Sequence, residues 1–367
     1  MDFSTAQNWF RQDRIRELAE SPDGLRFLKL RSLSRRAHLE QLFSAASVDP
    51  TSSSARDLFK EAFETVALDA AIIDSTIRAI YATEREHRQK NEAELVNQLY
   101  RLEVFDWGGL HQNSLEKTIV NNYVKRIRDY DQLSNSIENE LHNSMRGYVL
   151  CSWYNHWTSI IIEDIFRDHP AMLPAVGLIK KIDFFFKGVP FDLKVTYFPE
   201  GYIKELRRAN GERPELTLLR QWARRHNVTF SGGLSDSMLL SDLWNKASDH
   251  PSEDSQELLS ELISFRQKLI ADAKSDPDEL IRWLYENQGV RRFDASNRLF
   301  LILIDPLDFF ESWKLKRAKP LLCSEITHYL DNASSSPGRT LDFTWEETNY
   351  TVVSDVVIIT KPQGPVA

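Results

Sequence analysis

Apolar residues recur at helical spacing through most of the first hundred positions, in "WFRQDRIRELAE" and in "ARDLFKEAFETVALDAAIIDSTIRAIYATERE". Between them "SVDPTSSSA" reads as a loop ending in a helix cap. "VFDWGGLHQ" at 104–112 breaks the pattern and closes this part. Helical spacing resumes in "SLEKTIVNNYVKRIRDY" and again over 144–167, before Pro170. The period then changes to two: "KKIDFFFKGVPFDLKVTYFP" at 180–199 reads as two strands about a Lys187-Gly188 turn. A basic helical stretch runs to about 226, and "VTFSGGLSDS" is a loop. Two or three helices with acidic faces follow over 235–288. "NRLFLILI" at 297–304 has the unbroken apolar run of an interior strand. "KPLLCSEITHYLDN" is helical, and "LDFTWEETNYTVVSDVVIIT" gives two terminal strands. This order predicts an α/β (α+β) fold, a mixed sheet flanked by helices. A helical N-terminal extension occupies 1–112, and a helical insertion over about 227–296 lies inside the remaining 113–367.

The hairpin carries charge where its aromatic flanks predict burial. With the turn centred on Lys187-Gly188, facing positions sum to 187 + 188 = 375, so Phe184 opposes Phe191 and Asp183 opposes Asp192. Opposed side chains share a face, about 5 Å apart at Cβ. Lys194 lies on that face, while Leu193 and Val195 point the other way. Two opposed carboxylates repel, and burial sharpens the repulsion unless a cation lies between them. Converging oxygens with open positions suit Mg²⁺. An ammonium beside them suits orienting a water or stabilising charge on a phosphate. The alternative is a solvated hairpin in which Asp183 or Asp192 simply pairs with Lys181 or Lys194.

The preceding helix is apolar on most sides, which predicts burial. One narrow stripe is polar: Glu163 with Ser159, His156 and Ser152, at four, seven and eleven residues back. A carboxylate on a buried helix needs a partner, and a metal or its bound water would supply one. His156 and Ser159 read as groups supporting Glu163 by hydrogen bonding; an exposed polar stripe is the alternative.

A glutamate on a helix, an aspartate on a strand and Asp-x-Lys on the next strand together resemble the PD-(D/E)xK nuclease superfamily, the restriction-endonuclease-like fold. The matching residues are Glu163, Asp183 in "KKIDFFF", and Asp192 with Lys194 in "FDLKVT". Ile182 stands where the family name has proline. The resemblance covers about 144–225, with "NRLFLILI" as a further core strand, and does not reach 1–140 or 226–296. It implies that Asp183, Asp192 and Glu163 hold Mg²⁺, with Mn²⁺ as a substitute, helped by the Leu193 carbonyl, and that Lys194 positions the attacking water. It also implies a metal-dependent endonuclease acting on DNA, as a type II restriction or other anti-phage enzyme, with a homodimer as the form in which many such enzymes work; a methyltransferase gene as operon partner would favour restriction. Repair, mobile-element processing, RNA cleavage, or a non-catalytic interaction module are the alternatives.

Charge adds candidate phosphate contacts. Segment 203–226 holds seven Lys and Arg against three acids, including Arg207 and Arg208. Segment 117–128 adds Lys117, Lys125 and Arg126, with Asn121 and Asn122 as polar readers. Arg291, Arg292 and Arg298 flank the interior strand, and 11–36 has eight basic residues against four acids. Such runs are also what solvated helix faces look like. The whole chain of 367 residues is acidic, with a formal charge of -8, so any nucleic-acid contact is local. Two cysteines provide neither a disulfide framework nor a metal-ligand cluster. No stretch has the length and apolarity of a membrane span, so a cytoplasmic protein is expected.

Overall fold

The computed structural model describes residues 1–105, 119–177, 179, 181–287, 295–333 and 336–362. The helices are α1 Phe3–Arg11, α2 Ile15–Ala19, α3 Pro22–Ser32, α4 Arg36–Ala45, α5 Ala55–Glu64, α6 Ala70–Gln89, α7 Glu92–Leu99, α8 Tyr130–Ser136, α9 His142–Arg167, α10 Glu200–Ala209, α11 Glu215–Arg225, α12 Asp236–Asp249, α13 Glu253–Ser275, α14 Asp278–Glu286 and α15 Lys319–Asn332. The strands are β1 Met172–Pro174, β2 Phe184–Phe186, β3 Val189–Tyr197, β4 Arg298–Ile304, β5 Arg339–Trp345 and β6 Thr348–Thr360. They form one mixed sheet in the order β1-β2-β3-β4-β6-β5. Strands β1, β2 and β3 are antiparallel neighbours, β4 runs parallel to both β3 and β6, and β5 closes the sheet antiparallel to β6.

The hairpin register is the expected one: Phe184 pairs with Phe191, Phe185 with Pro190 and Phe186 with Val189. The turn adopts it because Lys187 and Gly188 both have positive φ, 50° and 83°, which matches the twist of the flanking strands. The interior strand also stands as expected, with all seven residues of β4 buried. β1 was not anticipated; three residues ending in proline carry too little alternation to announce a strand.

Side chains from the two faces of the sheet enter different cores. Phe184, Phe186, Phe191 and Leu193 join Leu299, Leu301 and Leu303 beneath α9 and α15. Phe185 points the other way, into a core made by the N-terminal helices with Leu173, Val176 and Ile182. On that second face Phe300 packs under α14 against β5 and β6, and Ile302 and Ile304 meet α10, α13 and α14. The helices of 3–89 therefore cover the β1–β2 arm directly. Each buried phenylalanine contributes roughly 1.5–3 kcal/mol, so the FFF strand is held from both sides. No helix among the described residues is long and apolar enough to cross a membrane.

Candidate active site

The charged positions of the hairpin lie between the two covers of the second face. Asp192 is the first β3 residue paired with β4, opposite Arg298. Its Oδ1 accepts from Lys194 Nζ at 2.8 Å, two residues along and on the same face. Its Oδ2 lies 3.5 Å from Arg298 Nε. Asp192 is buried, whereas the Lys194 side chain keeps 47% of its exposure. Asp183 sits just before β2 rather than within it. Its N–H donates to the Phe191 carbonyl at 2.8 Å, and its Oδ2 accepts from the Leu193 N–H at 2.7 Å. The strand that presents Asp192 and Lys194 thus also fixes Asp183.

Glu163 stands one turn before the C-terminal end of α9. Arg167, one turn on, reaches its Oε2 at 2.9 Å. The same guanidinium donates to the Asp183 carbonyl at 3.0 Å and lies 3.8 Å from Asp183 Oδ1. Arg167 is therefore the bridge between helix and hairpin. Burial pushes the Glu163 carboxyl up to about 7, Arg167 opposes this, and Asp183, Asp164 and Asp192 add to it. Burial likewise pushes Asp183 up, with Asp192 adding and the Leu193 N–H, Arg167 and Lys194 opposing. The charge of each aspartate thus acts on Glu163, and that of Asp192 on Asp183.

No protein-family model, curated protein or solved structure matches this chain.

Other expected residues fall differently. His156 is exposed, its ring edge-on to Trp157 at 5.1 Å, and nothing ties it to Glu163 among the described residues. Ser159 is half-buried on the same stripe. Arg207 cannot be a phosphate contact as it stands: it is 1% exposed and donates to Glu261 at 2.8 Å and to the Arg213 carbonyl at 2.7 Å. It stabilises the turn after α10, and its neighbour Arg208 remains exposed. Asn121, Asn122, Lys125 and Arg126 are exposed around a π-helical turn at Val120–Val124. Lys117, Arg291 and Arg292 lie outside the described residues. Arg298, expected as a flanking surface cation, is buried over the Tyr285 ring beside Asp192.

Arg167 and Arg298 were missed as site residues. The signal for Arg167 was its i+4 spacing from Glu163. For Arg298 it was a cation opening an otherwise apolar interior strand, which needs a carboxylate at hand.

The donor chemistry of Glu163, Asp183 and Asp192 fits a hard divalent cation, and burial first, with neighbouring acids adding to it, raises the Glu163 and Asp183 carboxyls. As the side chains stand, no three or more His, Cys, Asp or Glu residues among those described are gathered as a metal-holding group. Instead Lys194, Arg298, Arg167 and the Leu193 N–H occupy the carboxylate oxygens.

Proposed function

We propose that this chain is a Mg²⁺-dependent nuclease that hydrolyses phosphodiester bonds of DNA, with Glu163, Asp183, Asp192 and Lys194 as its working residues. The observation that carries the proposal is the Asp192–Lys194 contact on β3, with Asp183 seated on the intervening Leu193 N–H. The core around it supports a restriction-endonuclease-like reading: a helix bearing the glutamate, an antiparallel three-strand meander, then a parallel strand after a helical crossover.

Asp183, Asp192 and Glu163 would hold the metal, which supplies a polarised water and charge stabilisation at the phosphate. This chain's own contribution is placement. Lys194 is held beside Asp192 yet half in solvent, so its ammonium can turn to the water or to a non-bridging phosphate oxygen. Arg167 keeps Glu163 and Asp183 at a fixed separation by contacting both. Arg298 sets a guanidinium 3.5 Å from the inner oxygen of the buried Asp192 carboxylate.

The test is plasmid cleavage with Mg²⁺ by the wild type, Asp192→Ala and Lys194→Ala. Loss of cutting by roughly 100-fold or more in both variants is expected, with DNA binding largely retained. A second reading, a catalytically silent interaction module, draws on the finding that every carboxylate already has a protein partner. Equal cutting by all three proteins would favour that reading and sink the first.

A further inference from the structure

The basic run at 11–36 has no part in the site described above, and most of its cations are committed elsewhere. Arg26 donates to the carbonyls of Ala62, Phe63 and Thr65 at the end of α5. Lys29 pairs with Asp74 at 2.7 Å, and Arg36 with Glu40 at 2.7 Å. Arg16 bonds Glu20 and the Thr351 carbonyl. Arg35 differs. It stands exposed just before α4, and among the described residues its side chain makes no ion pair or hydrogen bond.

Arg35 lines a cleft of about 560 Å³ together with Arg88, Arg167, Glu84, Glu163 and Asp183. The N-terminal helices thus face the candidate site across a shared space. Their position is fixed by close packing. Gly177, also in the cleft lining, has φ +75°, and a Cβ there would come 2.7 Å from the Ser32 carbonyl oxygen at the end of α3. Leu33, two residues before Arg35, is fully buried. Arg88 is held by both oxygens of Asp164, at 2.7 and 2.8 Å, and Arg167 by Glu163. Arg35 is the cation of the lining with its donors uncommitted.

We propose that the N-terminal helices form the second wall of the cleft, and that Arg35 takes a backbone phosphate of the DNA strand lying across Glu163 and Asp183. This rests on the nuclease reading for the identity of the ligand. A guanidinium with a free fork of donors matches a phosphate oxygen pair in a way no other group in this lining can. The cleft volume of about 560 Å³ falls within the range of ordinary ligand pockets, roughly 300–1,000 Å³.

Binding can be measured without catalysis. A fluorescein-labelled DNA duplex of about 20 base pairs, the length of two helical turns, is titrated with the full chain in EDTA, followed by anisotropy at several salt concentrations. Arg35→Ala is expected to weaken binding by about 3–10-fold and to flatten the slope of log affinity against log salt by about 0.9. Arg35→Glu is expected to weaken it further, Arg35→Lys to restore part, and Arg36→Ala to match the wild type. Wild-type affinity and slope in Arg35→Glu would overturn the proposal, as would a wild type that binds no DNA. Cleavage is scored separately with Mg²⁺. A wild type that never cuts but loses binding in Arg35→Glu defeats the nuclease reading and leaves the wall standing. A wild type that cuts while Arg35→Glu binds and cuts equally defeats the wall alone.

Discussion

Glu163 and Asp164 are neighbours on one helix and live in opposite electrostatic worlds. Asp164 is 1% exposed and fully engaged. Arg88 grips both its oxygens, Arg85 lies 3.5 Å away, and the network runs on through Asp168, Tyr81, Glu92 and Lys319. That network locks α6, α7 and α15 to the end of α9. Glu163 has one arginine, three aspartates whose charge acts on it and a carboxyl pushed up to about 7, mainly by burial. A buried acid with matched partners holds helices together. A buried acid short of positive charge is poised to take up a proton or a cation, the condition that marks functional sites more often than scaffolds.

The comparison can be broken in three ways. The largest effect is expected from Asp164→Ala, which strands Arg88 and Arg85 in a buried site; unfolding by urea should show a loss of about 3–5 kcal/mol. Glu163→Gln at pH 8 should instead be neutral or slightly stabilising, because burial disfavours the charged carboxyl in the fold by more than Arg167 offsets. Equal losses in the two variants would erase the distinction between the residues.

The second effect is a pH dependence with an unusual sign. Below the ordinary glutamate value of 4.5 the Glu163 carboxyl is protonated in folded and unfolded chains alike, and above about 7 it is ionised in both. Between them the folded chain retains a proton that the unfolded chain has lost. Stability attributable to this group therefore falls as pH rises from 4.5 to 7, by about 1–3 kcal/mol in all. Asp183 is shifted in the same direction and adds to the fall. Subtracting the curve of Glu163→Gln from that of the wild type isolates the Glu163 part. A difference that is flat, or that rises with pH, would contradict the environment described for this carboxyl.

The smallest effect sharpens the metal reading without any substrate. Mg²⁺ at about ten times its dissociation constant should stabilise the fold by roughly 1.4 kcal/mol. The shift in thermal midpoint should be larger at pH 8 than at pH 5.5, where a proton competes at Glu163. Asp183→Asn with Asp192→Asn should abolish it. An unchanged shift in that double variant would put the ion elsewhere.

What was legible in the sequence was local. The Lys187-Gly188 turn and the alternation about it were enough to set the β2–β3 register, and Lys194 falls beside Asp192 because two residues on a strand share a face. The interior strand declared itself by its apolar run. Features that depend on distant partners were not legible. Asp164 meets Arg88 across 76 residues, and Arg207 meets Glu261 across 54, so nothing near either announces its burial. His156 shares the stripe of Glu163 by spacing alone, but the stripe turns outward one turn and more before the hairpin is reached. The arginine of β4 was visible, but its role depended on β4 lying next to β3, a crossover that chain order did not specify.

The strand of three phenylalanines is a rivet. Its outer rings are fixed in the body beneath α9 and its middle ring in the helical body on the reverse side. Asp183 directly precedes the strand, one peptide link from Ile182 and two from Phe185, both seated in the helical body. The core that α3 and α4 build therefore anchors the backbone on both sides of Asp183.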